Sequence, residues 1–222
     1  MADRELIDPK STKMFDHPIF IESIKFIQAQ LGSTGLNSLQ QQVLERIIHT
    51  SGDFQVLDLL TFSPEACQIG ISALKGGAVI LTDTTMAAAA VTPMAKRTLQ
   101  NEVRCVLEWA PSFSSEGLTR TSEGMRKAWL ELNRNKQDKP PIVLIGSAPK
   151  ALETLLDLAS TEGCPPSLIV GMPVGFIGVS ESKERLVNSG LPYILLKGSR
   201  GGAALAAASI NALMRASFLP NH

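Results

Sequence analysis

Residues 141–160 read PIVLIGSAPKALETLLDLAS, and this stretch decides the fold. Ile142–Ile145 is an unbroken apolar run, the mark of a strand buried on both faces. Gly146-Ser147-Ala148 ends it, and Pro149 suits the first turn of a helix that runs to Ser160. Outward from there the pattern repeats. Short apolar runs stand at Val56–Leu60, Ala78–Thr82, Val103–Trp109, Leu168–Val170 and Tyr193–Leu196. Helix-like segments fall between most of them, at Pro64–Leu74, Thr85–Leu99, Ser122–Arg134 and Glu181–Asn188. An alanine-rich helix, Gly202–Ala216, closes the chain. Strands alternating with helices predict an α/β fold in three layers, a mostly parallel sheet with helices on both faces. Val56–Leu60 is the weakest strand and also reads as helix.

Two helices precede the alternation. Asp16-His17-Pro18 opens the first, with Pro18 at its first position, and Ile19, Phe20, Ile24, Ile27 and Leu31 form its stripe up to Gly32. The second opens at Ser38, with Gln41 at capping-box spacing, and ends at Gly52. Residues 1–15 read as a polar lead-in, and 16–222 as a single α/β domain. Asn135–Pro141 reads as a polar turn within it.

The 222 residues are 44% hydrophobic and 19% charged, enough to bury a core without disulfide or metal staples. Lys+Arg and Asp+Glu are both 21, so the formal charge is zero, which argues against a nucleic-acid partner. Cys67, Cys105 and Cys164 are odd in number and widely spaced, as expected of buried thiols in a reducing compartment. With His17, His49 and His222 the only histidines, no metal site is expected. Neither a signal peptide nor a membrane span is legible, so the expected location is cytoplasmic, away from any membrane.

Ligands of open parallel sheets bind beyond the carboxyl ends of the strands. There this chain places Asp83-Thr84-Thr85, Gly146-Ser147-Ala148-Pro149, Gly171–Phe176 and Gly198–Gly202. Such residues also simply end strands, but four such loops on one edge favour a shared crevice. KGSRGG, residues 197–202, runs straight into a helix and so offers backbone N–H groups to an anion. It is neither a dinucleotide fingerprint nor a Walker A loop. Arg200 serves a carboxylate or phosphate, or else a dimer partner. His49 ends the second helix, off its apolar stripe; it is either a solvated histidine or an acid that the helix dipole keeps protonated. Ser23 reads as back-bonded to its own helix, and Arg120 as a solvated residue just before a helix capped by Thr121 or Ser122.

Set in order, Ile21-Glu22-Ser23, RIIHTSGD (46–53), FSPEACQIGISALKGGAVILTDTTM (62–86), TRT (119–121), VLIGSAPKAL (143–152), LIVGMPVGFIGVSESKE (168–184) and PYILLKGSRGGAALAAASINAL (192–213) resemble the precorrin-8X methylmutase family of cobalamin biosynthesis, cobalt-precorrin-8 enzymes included. The resemblance covers about residues 17–216. It implies a methyl shift from C-11 to C-12 in ring C of a tetrapyrrole, with no cofactor and no metal. It implies His49 as the catalytic proton donor, Ser23 as a substrate-binding residue, and Arg120 as the holder of a peripheral carboxylate. Thr85, Arg200 and Gly201 join the substrate-binding set as parts of the strand-end loops. A homodimer is implied too, in keeping with Ala203, Ala204, Ala206, Ala207 and Ala208 on the last helix. Two other classes remain: a non-enzymatic corrinoid carrier, and a nucleotide- or sugar-phosphate transferase.

Overall fold

The computed structural model describes residues 15–133 and 139–219. Most of the expected lead-in, most of the polar turn at 135–141, Arg134 and His222 lie outside them. Two helices, α1 (Pro18–Leu31) and α2 (Ser38–Ser51), come first. Then follow α3 (Val56–Leu59), β1 (Leu60–Phe62), α4 (Ala66–Lys75), β2 (Ile80–Thr82), α5 (Thr85–Arg97) and β3 (Val103–Cys105). The second half runs α6 (Arg120–Leu132), β4 (Ile142–Ile145), α7 (Pro149–Thr161), β5 (Leu168–Gly171), α8 (Val179–Val187), β6 (Tyr193–Leu196) and α9 (Ala203–Phe218).

The six strands form one sheet in the order β1-β6-β5-β4-β2-β3. Five are parallel; β1 alone runs antiparallel, with Leu60 opposite Leu196. Side chains alternate across the sheet with the two-residue strand period. Ile80, Ile142, Leu144, Val170 and Ile194 enter the layer formed with α2, α4, α5 and α9. Leu81, Val143, Ile145, Ile169 and Leu195 enter the other, under α6, α7 and α8. The expected three layers are present.

Local signals shift some boundaries. Val56–Leu59 is a single helical turn, and the strand begins only at Leu60. A short apolar run has no period of its own, and here an Asp53 carboxylate accepting the Gln55 N–H starts a turn. Val103–Trp109 is strand only to Cys105, because a 3₁₀ turn follows at Val106–Glu108. The second helix is capped by Asn37 with Gln40, one residue before the expected Ser38 and Gln41. The sixth helix is capped by Thr119, not by Thr121 or Ser122, so Arg120 is its first residue. Thr119 Oγ1 accepts the Ser122 N–H at 3.1 Å, which places the start two residues earlier.

Helix α9 is the central pillar of its layer. Ala206–Met214 are all buried, and the helix packs most extensively on α2 and α5. Its alanines therefore serve close packing within the chain. The small-residue stripe read from the sequence as a dimer feature is largely consumed internally.

Candidate active site

Chain order reverses between β2 and β4. The chain leaves β2 for the edge strand β3, then returns to β4 on the other side of β2. A crevice opens at such a switch point. Parallel pairing puts the ends of β2, β4, β5 and β6 on one edge, so the four expected loops do share it.

The switch point is filled by the protein itself. Asp83 Oδ2 accepts the N–H groups of Gly146, Ser147 and Ala148 at 3.0, 2.6 and 2.9 Å. The carboxylate thus occupies the N-terminal end of α7, where an outside anion would otherwise bind. Asp83 Oδ1 has no partner among the described residues. Burial pushes the Asp83 carboxyl above its ordinary pKa, and the three amide donors oppose that. From the sequence Asp83 is legible only as part of a ligand loop, because an acid between a buried strand and a helix cap carries no periodic signal.

The β6–α9 loop is built by close approach. A Cβ on Gly201 would lie 2.0 Å from the Met172 carbonyl oxygen, and one on Gly146 would lie 2.5 Å from Ala203 Cα. Only glycine lets these loops touch. Gly201 is therefore a packing residue that brings its loop against the β5 end. Arg200 turns back toward α2. It forms an ion pair with Asp53, and its Nη2 donates to Gln55 Oε1 at 3.1 Å. The outlet observed for Arg200 is thus an internal carboxylate, a third possibility beside ligand and dimer partner.

His49 stands exposed in the last turn of α2. Its ring meets Phe20 of α1 edge-on, with centroids 5.1 Å apart. The Arg46 guanidinium covers the same phenyl ring at 4.7 Å. Partial burial, then the nearby Arg46 charge, lower the His49 pKa. The shift runs opposite to the expected helix-dipole stabilisation of the imidazolium, because desolvation acts first and Arg46, one helical turn away on the same helix, adds to it. Ser23 lies one turn beyond Phe20, half-buried, and its Oγ donates to Ile19 O at 2.8 Å. The back-bonded geometry is present, and the hydroxyl oxygen keeps acceptor capacity. The Phe20–His49 contact sets the start of α1 against the end of α2. The Arg200–Asp53 pair brings that end to the loop edge.

Thr85 is the exposed first residue of α5, one past the Thr84 cap. Arg120, also exposed, donates from Nε to Pro111 O at 2.9 Å, and neither Nη group has a partner among the described residues. From the β6 end, beside Arg200, to the β3 end is four strand spacings, or about 19 Å at ~4.8 Å each. Among the described residues, none of the main cavities gathers all six. A cleft of about 240 Å³ between α1, α2 and α9, lined by Phe20, Glu45, Arg46 and Arg215, is below the ~300 Å³ at which small-molecule pockets begin. The arrangement is an open edge suited to a broad ligand.

Comparison with known proteins now decides the family. The sequence model of precorrin-8X methylmutase matches residues 18–216. The chain belongs to the precorrin-8X methylmutase family. A cobalt-precorrin-8 methylmutase from Synechocystis is 32% identical, over 90% of this chain and 95% of its own. A precorrin-8X methylmutase from Pseudomonas aeruginosa is 38% identical, over 88% of this chain and 93% of its own. The solved precorrin-8X methylmutase from Thermus thermophilus superposes with a TM-score of 0.78 at 33% identity, covering 90% of this chain and 95% of that one. This methylmutase is therefore an isomerase that shifts a methyl group in cobalamin biosynthesis. Among the described residues, no helix is long and apolar enough to cross a membrane.

Proposed function

We propose that this methylmutase moves a methyl group from C-11 to C-12 in ring C of precorrin-8X or cobalt-precorrin-8, giving hydrogenobyrinate or cobyrinate. The observation that carries this reading is an exposed histidine at the loop edge, packed against the helix that bears Ser23. The migration is intramolecular. The bond from the methyl carbon to C-11 breaks as its bond to C-12 forms, and no atom enters or leaves. His49 lends a proton to the ring C nitrogen, which withdraws electron density from the conjugated system, and it regains the proton afterwards. Its lowered pKa makes the imidazolium a stronger acid and a scarcer species at neutral pH.

Positioning supplies the rest of the rate. The Ser23 hydroxyl binds the macrocycle beside His49. Thr85 offers a hydroxyl and the unpaired N–H groups of a helix start to a peripheral carboxylate. Arg120 takes another carboxylate with its free Nη groups. Gly201 and Arg200 shape the edge rather than contact the ligand. A homodimer in the cytoplasm completes the reading. Incubation with metal-free and with cobalt-bearing substrate, followed by absorption, tests it. Turnover of either supports an enzyme and assigns the substrate form; stoichiometric binding of both without turnover would make the protein a carrier.

A further inference from the structure

Lys183 is a buried cation that the mechanism above leaves unused. It lies on α8 at 2% exposure. Its Nζ donates to the carbonyl oxygens of Gly198 and Arg200, each at 2.7 Å. None of the ion pairs among the described residues includes it. A buried ammonium without a carboxylate is costly to desolvate. What it secures is the loop between β6 and α9. That loop has few other ties: Ser199 O accepts the Gly175 N–H at 3.2 Å, and the Gly202 N–H reaches Met172 O at 2.9 Å.

The contacts continue toward the active site. The Arg200 side chain leaves the clamped loop and pairs with Asp53 and Gln55. Asp53 directly follows Gly52, the left-handed cap of α2, whose N–H donates to Ile48 O at 2.8 Å. His49 is the next residue after Ile48. An unbroken path thus runs from the Lys183 ammonium through the Gly198–Arg200 backbone and the Arg200–Asp53 pair to the end of α2.

We propose that Lys183 is a positioning residue for His49, acting through the Arg200–Asp53 pair to hold the last turn of α2 in place at the loop edge. The proposal rests on the reading of His49 as proton donor, and its consequence for rate follows from the cost of misplacing a reacting group. Lys183→Met removes the donors at nearly constant length. The expected result is a kcat lower by about 10-fold with KM changed by less than about twofold, since the loss falls on orientation and not on ground-state binding. The Cε1–H resonance of His49, assigned by its disappearance in His49→Ala, should move or broaden. Asp53→Asn should do the same, and the double variant should be no worse than the worse single one, because both cut one path. A purely structural lysine would lower the folded fraction and leave the resonance of folded molecules in place. A folded Lys183→Met protein with wild-type resonance and kcat overturns the proposal, as do additive losses. Should Lys183→Met not fold, Lys183→Gln, which keeps an uncharged NH₂ donor on a shorter side chain, is read by the same two criteria. If His49→Ala turns over normally, the proton-donor reading fails, while the resonance still reports whether Lys183 positions the ring.

Discussion

Replacing Asp83 with Ala removes the carboxylate that binds three successive amides at the switch point. Gly146 is buried, so its N–H is stranded without water, at a cost of about 1–3 kcal/mol. Ser147 and Ala148 are half-buried and regain water, so each loses only the ordinary net bond, about 0.5–1.5 kcal/mol. The α7 N-terminus also loses the negative charge that faces it, worth about 0.3–2 kcal/mol. Relief of the buried carboxylate's desolvation offsets part of this, since its raised pKa shows that burial outweighs the three donors. The net expectation is a loss of about 2–5 kcal/mol, read from urea unfolding by circular dichroism at pH 7. Asp83→Asn keeps an acceptor for the amides but sets an NH₂ group at the partnerless Oδ1 position, and should lose about 1–3 kcal/mol. The pH dependence has a definite sign. A carboxyl with a raised folded pKa binds its proton more tightly folded than unfolded, so its contribution to stability falls as pH rises from the ordinary value of 3.8 through the raised one. The wild-type protein should therefore gain on Asp83→Asn as pH drops through that window. A loss under about 1 kcal/mol for Asp83→Ala would refute the view of Asp83 as the anion of this loop.

His49→Ala should lower turnover by about 100- to 10,000-fold while the protein still folds and binds the macrocycle, seen as a substrate-like spectrum in the purified complex. The wild-type kcat/KM, which reports the free protein, should fall as pH rises through a midpoint below 6.5, because the acid form is lost there and partial burial with Arg46 depresses that midpoint; a midpoint above 6.5 would contradict the geometry. Arg120→Ala should weaken substrate binding by about 1.5–3 kcal/mol, and unchanged affinity by equilibrium titration at moderate salt would remove Arg120 from the site. Ala207→Leu should destabilise the fold by about 1–3 kcal/mol through overpacking, because Ala207 is 1% exposed on a helix pressed between α2 and α5; a neutral effect on thermal unfolding would show slack in that layer.

Much of the architecture was determined by sequence alone. Ile142–Ile145 and Tyr193–Leu196 are strands at the limits read from the chain, because continuous apolar runs closed by glycine, proline or polar residues admit little else. Pro18 and Gly32 bound α1 as read, since their backbone preferences are local. Those local signals also placed His49 on the exposed side of α2. Family motifs, spread along the whole chain, carried the reaction. Other features were decided only in three dimensions. Val56–Leu59 became helix because an Asp53 side chain and the antiparallel Leu60–Leu196 pairing divide one apolar run into two elements. The His49 pKa moves down, against the helix dipole, because folding partly desolvates the ring and sets Arg46 beside it. Arg200 reaches Asp53, and Lys183 reaches the Arg200 carbonyl, across 147 and 17 residues of chain. Asp83 spans more than sixty residues to the amides it satisfies. Partners so far apart in sequence leave no periodic trace in it, and only the crossing of the chain at the β2–β4 switch point brings a lone carboxylate and three amides to one place.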